Sequence, residues 1–139
     1  MMEFGKLKAG VNYVERAGAY GVIRNESGIF AIVRKPDGLF LPGGGLHSGE
    51  SPEEALRREV IEETGYESVI LNSIGAATQF TRKYRKIGHF FLARLTGKVM
   101  EPTEDDHELV WLSGDDAIRQ MKHEYHAWAI RKGHKGAAP

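Results

Sequence analysis

Apolar and polar positions along the chain sort into short strands in runs, with one clear helix in the middle and helical signals near the end. Ala19–Arg24 and Gly28–Arg34 are rich in Ile, Val, Phe and Tyr, and Asn25-Glu26-Ser27-Gly28 between them has turn chemistry. Two such runs across a tight turn predict a β-hairpin. Pro36-Asp37-Gly38 reads as a second turn, followed by a short strand at Leu39–Leu41 and a loop at Pro42-Gly43-Gly44-Gly45. Ser51 then opens a helix. It is a favoured N-cap, Pro52 fits the first helical position and Glu54 completes a capping box. Ala55, Leu56 and Val60 form its apolar stripe, and Gly65 after Thr64 supplies the stop. Further strands are predicted at Ser68–Ile74, Ala77–Thr81, His89–Leu95 and Leu109–Leu112. A helix capped by Ser113 runs through Met121, and another covers His123–Arg131. This order predicts an α/β (α+β) sandwich with a mixed sheet, rather than a regular βαβ array.

A chain of 139 residues fits a single domain, taken as 1–139. Nineteen basic and nineteen acidic residues cancel, and the basic excess that a polyanion partner requires is missing. Nucleic acid is therefore not an expected partner. With no cysteine, disulfides, thiolate metal sites and thiol nucleophiles are excluded. No apolar run approaches the ~18–20 residues of a membrane span. Met1–Gly10 lacks the apolar core of a signal peptide, so no membrane partner and a cytoplasmic location are expected.

The chemistry concentrates in Gly44–Tyr66, GGLHSGESPEEALRREVIEETGY. Helical positions three and four apart share a face, so Glu59, Glu62 and Glu63 project as one carboxylate cluster. Arg58 can pair with Glu62 at i, i+4, but one arginine does not neutralise three carboxylates, and Glu50 lies just before the helix. Hard divalent cations such as Mg²⁺ take oxygen ligands of this kind. A Gly-rich loop beside them admits close approach of backbone and substrate. The same segment approaches the P-loop pattern from Gly44 to Ser51, but Glu50 stands where that loop needs lysine and would repel phosphate.

The stretch resembles the Nudix box, G-x5-E-x7-R-E-U-x-E-E-x-G-U with U aliphatic. Gly44, Glu50, Arg58, Glu59, Val60, Glu62, Glu63 and Gly65 stand in register, and only Tyr66 departs from the pattern. Leu41-Pro42-Gly43 and the strand order are similar to the MutT-like branch. The resemblance implies a Nudix-type α/β/α sandwich and hydrolysis of a pyrophosphate bond in a nucleoside diphosphate derivative. Water would attack phosphorus with Mg²⁺, or Mn²⁺ in its place, polarising the phosphoryl oxygens and a carboxylate as general base. By the same resemblance, Glu59 and Glu63 are the principal metal ligands, Glu62 belongs to their cluster, and the Gly43 carbonyl is a further ligand. Arg58 would orient the glutamates. Gly43, Gly44 and Gly45 would line the substrate, and Glu50, Gly44 and Gly65 would support the loop and helix end.

The acidic run Glu101, Glu104, Asp105, Asp106 and Glu108 reads by itself as a solvated loop, but the resemblance implies one more metal-binding or catalytic carboxylate there, with Glu104 favoured over Glu108. The basic residues Arg82, Lys83, Arg85 and Lys86 around Tyr84 read as a charged hairpin tip ahead of a phosphate contact. His123, His126 and His134 are spaced too irregularly for a metal site, and Trp111 and Trp128 read as packing residues. The expected substrate is a small nucleotide, with a nucleoside triphosphate, oxidised or not, ahead of a nucleotide sugar or dinucleoside polyphosphate. A silent nucleotide-sensing domain is the alternative of another class, and homodimerisation accords with the resemblance.

Overall fold

The computed structural model describes residues 1–136. A five-stranded mixed sheet is built from β1 (Met2–Phe4), β6 (Tyr66–Thr81), β7 (Tyr84–Lys98), β2 (Val14–Ile23) and β5 (Gly43–Gly45), in that spatial order. β1 is parallel to β6 and β2 to β7, while β6–β7 and β2–β5 are antiparallel. A smaller antiparallel sheet has the order β4 (Gly38–Phe40), β3 (Phe30–Lys35), β8 (Glu108–Leu112). α1 (Pro52–Thr64) packs on one face of the large sheet and α3 (Glu124–Gly136) on the other, with α2 (Gly114–Gln120) against α3 and β3.

Strand alternation explains the two cores. Ala19, Ile23, Phe91 and Ala93 point toward α1 and meet Ala55, Leu56 and Val60. Val22 and Phe90 point the other way, onto Tyr125, Ala129 and Ile130 of α3. Successive strand side chains face opposite sides, so β2 and β7 serve both layers. This is the predicted sandwich.

Several local expectations need correction. Ala19–Arg24 and Gly28–Arg34 do not form a hairpin. The turn exists, with the Asn25 carboxamide oxygen accepting from the Ser27 and Ile29 amides, but only an Arg24–Phe30 bridge links the two arms. Beyond it the strands diverge into different sheets, each finding more apolar surface there than a two-stranded ribbon offers. Gly43–Gly45 is not a loop but a short edge strand, paired with Gly18–Tyr20. Ser68–Ile74 and Ala77–Thr81 are parts of one 16-residue strand, interrupted by bulges that include one between Ser73 and Gly75. β1 has no counterpart in the reading of the pattern. Trp128 packs against the core beside Phe4 and Phe90, whereas Trp111 stands on the outside, 40% exposed.

Candidate active site

The site forms where β5 meets the side of α1. Ser51 caps the helix by accepting from the Glu54 amide at 3.1 Å, and Glu54 returns the bond to the Ser51 amide at 2.9 Å. At the far end Gly65 takes φ +80°, and its amide donates to Ile61. A Cβ at Gly65 would lie 2.1 Å from the Met100 carbonyl oxygen. Bare glycine therefore lets the acidic loop return to the helix end, where Val99 N–H donates to Gly65 and Thr103 N–H to the Glu62 carbonyl, at 2.8 and 2.9 Å.

Arg58 organises most of the carboxylates. Its Nε and Nη2 grip Glu50 in a fork at 2.7 and 2.9 Å, and Nη1 donates to Glu59 at 2.8 Å and Glu62 at 2.9 Å. Nη2 also donates to the Gly45 carbonyl at 2.9 Å, which ties the helix to β5. A planar guanidinium can hold this many acceptors in fixed directions, and an ammonium cannot. Arg58 and the His47 amide together hold the Glu50 carboxyl at about 2.

Glu63 stands apart from that network. It shares the buried stripe with Leu56 and Val60 and is 1% exposed. Its Oε1 accepts the Gly43 amide at 2.8 Å. Its Oε2 is buried without a hydrogen bond, 3.6 Å from Lys35 Nζ and 3.2 Å from His107 Nδ1. Burial, opposed by the Gly43 amide and Lys35, pushes the carboxyl up to about 7. In ion-free protein the sign of this shift is testable. A native pKa above the ordinary 4.5 means the folded state takes up the proton first, so the destabilisation by Glu63 fades as pH falls. With chelator present, the melting temperature of the wild type relative to Glu63→Gln should rise by a few degrees from pH 8 to pH 5, as roughly 1 kcal/mol would produce. Burial depresses His123 to about 4 and His126 well below its usual value, which opposes this trend, but both proteins share that contribution. A flat difference would show that burial does not control Glu63.

The glycines set how close the two elements come. A Cβ on Gly44 would sit 2.6 Å from the Glu59 carboxyl, and one on Gly43 2.1 Å from the Ala19 carbonyl oxygen. Glu59 and Glu63 therefore meet the Gly43–Gly44 backbone, and Glu62 is joined to Glu59 through Arg58. A donor set of carboxylate oxygens, one of them buried and unbonded, fits a hard divalent cation.

The loop places its two candidate carboxylates differently. Glu104 is half-buried and clusters with Asp106 and His107, their ligand atoms within 4.8 Å of one another. Glu108 pairs with Arg34 at 2.7 Å on the outside, with its side chain 64% exposed. Lys35 and His107 were missed by the sequence reading. Lys35 stands just past the buried run Phe30–Val33 of β3 with nothing to mark it, and nothing in the acidic run singles out its histidine. Arg82 and Lys83 form the β6–β7 turn and Arg85 pairs with Glu15 at 3.0 Å, as a charged hairpin tip should. Lys86 instead enters a recess of about 160 Å³ beside Arg16, Tyr20, Gly45 and Tyr125. Of the late histidines, His123 and His126 meet edge to face at 5.7 Å, and His134 lies apart from them. His126 is buried with Nδ1 accepting from the Leu41 amide, and His134 lies against Phe30.

The site is thus a glycine strand held against a carboxylate-lined helix on an α/β/α sandwich, with oxygen donors of the kind a divalent cation takes. The family described as NUDIX domain matches residues 14–132. A Bacillus subtilis (strain 168) protein provisionally named an 8-oxo-dGTP diphosphatase is 35% identical over 99 residues, 69% of this chain and 65% of that protein. An 8-oxo-(d)GTP phosphatase of Mycolicibacterium smegmatis is 33% identical over 67% of this chain and 30% of its own length. The chain thus spans less than two thirds of either relative. Among solved structures, a MutT protein of Methanosarcina mazei Go1 superposes with a TM-score of 0.75 at 22% identity, covering 94% of this chain and all of that one. The chain belongs to the Nudix family. Within it, the relatives place the chain in the MutT-like branch. No helix among the described residues is long and apolar enough to cross a membrane.

Proposed function

We propose that this chain, acting as a single domain, is a Mg²⁺-dependent pyrophosphohydrolase of nucleoside triphosphates, with oxidised purine nucleotides the first class to test. Water adds to a phosphorus of the triphosphate, the phosphoanhydride bond breaks, and nucleoside monophosphate and pyrophosphate leave. The observation that carries this reading is the approach of Glu59 and Glu63 to Gly44 and Gly43, with Glu62 joined to Glu59 through Arg58. Glu59, Glu62, Glu63 and the Gly43 carbonyl would hold the ion, which polarises the phosphoryl oxygens when bound. Arg58 fixes the directions of Glu59 and Glu62, and Glu50 fixes Arg58. Glu104, on the loop anchored by Thr103, would be a further ligand or take the proton from water. Gly43–Gly45 would leave room for the diphosphate. The names of the MutT-like relatives support the oxidised-purine substrate. Every charged position of the box is retained, which favours an enzyme over a silent sensor.

The deciding experiment is a panel of nucleoside triphosphates, nucleotide sugars and dinucleoside polyphosphates incubated with Mg²⁺, with products separated by chromatography. Monophosphate and pyrophosphate from a triphosphate are expected. Turnover should vanish in excess EDTA and return with Mg²⁺ or Mn²⁺, and full activity after exhaustive chelation would remove the proposal.

The loop gives a second test. Glu104→Gln is expected to lower turnover at least tenfold with little change in KM, because the loss falls on the transition state. Glu108→Gln, altering an exposed pair with Arg34, should stay within about twofold. The reverse ranking in steady-state kinetics would assign the role to Glu108.

A further inference from the structure

We propose that His107 is a nitrogen ligand of this cation centre, completing it from the β8 side and shifting its preference from Mg²⁺ toward Mn²⁺. The inference rests on the reading of Glu63 as a ligand. It starts from two buried atoms. Glu63 Oε2 and His107 Nδ1 face each other at 3.2 Å, and neither has a hydrogen bond. A buried polar atom left unbonded costs about 1–3 kcal/mol, so these two need either a proton shared between them or an ion bound to both. A separation near 3 Å is the edge of an octahedron with bonds of about 2.1 Å, so one ion can satisfy both atoms.

The other ring nitrogen strengthens the assignment. His107 Nε2 lies 3.5 Å from Asp106 Oδ1. A metal-bound histidine is commonly oriented by a carboxylate on its remaining N–H, which fixes the tautomer. Here that arrangement leaves the Nδ1 lone pair facing Glu63. Glu104 and Asp106 place carboxylate oxygens within 4.8 Å of a ring nitrogen of the same histidine. Lys35 at 3.6 Å from Oε2 is the competing partner, and an ammonium there would make the cluster an ordinary ion-pair network. The two arrangements differ in one observable, because only the first puts nitrogen on the ion. Imidazole is a poor donor for Mg²⁺, which demands oxygen, and a better one for first-row transition ions.

Mn²⁺ itself is the probe. Full-length protein loaded with one equivalent should show nitrogen modulation in pulsed electron paramagnetic resonance, and ¹⁵N-histidine labelling should alter it. His107→Gln should abolish the modulation and weaken Mn²⁺ binding about tenfold. Mg²⁺ affinity, read by competition, should change less than about threefold. His134→Gln, altering an exposed residue beside Phe30, should keep the wild-type signal. Bound Mn²⁺ with no histidine-derived nitrogen coupling in the wild type would overturn the role of His107 while leaving the carboxylate centre intact. No saturable Mn²⁺ binding at all would overturn both. The labelling experiment needs no variant, so a failure of His107→Gln to fold would not spare the proposal.

Discussion

Glu63→Gln is expected to reduce turnover at least a hundredfold at saturating substrate and Mg²⁺, in a protein that remains folded. The substitution keeps the volume and an oxygen to accept the Gly43 amide, so the 2.8 Å contact between α1 and β5 can persist. What disappears is a full negative charge in a dry position, where electrostatic effects are least screened. Losing one such preorganised electrostatic group costs on the order of 3 kcal/mol of transition-state stabilisation, or about a hundredfold in rate. The ion-free variant should melt no lower than the wild type at pH 8, because the buried charge it removes is a burden until a cation arrives. Steady-state rates with melting curves decide the matter. Turnover within tenfold of wild type would exclude Glu63 as a principal ligand, and loss of the folded state would refute the account of its burial.

Gly43→Ala is expected to be the most damaging single-methyl change in the site. Gly43 has φ +142°, a backbone conformation closed to alanine without strain. The added carbon would also sit 2.1 Å from the Ala19 carbonyl oxygen and 2.7 Å from Tyr20 Cα, both backbone atoms of β2 with no freedom to withdraw. Relief requires β5 to leave the sheet, with loss of its pairing to Gly18–Tyr20 and of the amide that holds Glu63. A destabilisation of at least about 2–3 kcal/mol follows from strain and clash together. This should appear as a drop in melting temperature on the order of 10 °C. Gly49→Ala provides the control. Gly49 also has positive φ, at +84°, but a Cβ there meets nothing within 4 Å. If the two variants melt alike, close packing between β2 and β5 is not what Gly43 serves.

The parts legible in the sequence are those with a local cause. Ser51, Pro52, Glu54 and Gly65 state where α1 begins and ends, and the structure agrees at both termini. The spacing of Glu59, Glu62 and Glu63 brings them together because a helix fixes its own geometry. The same wheel carried an unused signal, since Glu63 falls on the stripe of Leu56 and Val60 and is therefore the buried member of the three. What could not be read depends on distant partners. Nothing near Ala19–Ile23 says that it will abandon Phe30–Lys35 and run beside β7. Gly43–Gly45 has no strand propensity and becomes a strand because β2 offers it an edge. Lys35 and His107 reach Glu63 from elements far apart in the chain, at positions unremarkable in their own surroundings.

The parallel union of β2 with β7 pairs Val14 with Tyr84 and Ile23 with Ala93, always about seventy residues apart. β6 and β7, by contrast, close across a two-residue turn. Assembly is therefore ordered by loop-closure entropy, since the hairpin forms locally and β2 can join only once β7 exists. On a ribosome adding about 5–20 residues per second, β2 waits roughly 4–14 s for its partner. Throughout that interval the apolar segment Gly21-Val22-Ile23 is an unclaimed edge. Overproduction and heat thus threaten the nascent chain at β2, the strand that in the mature protein carries β5 beside the carboxylates.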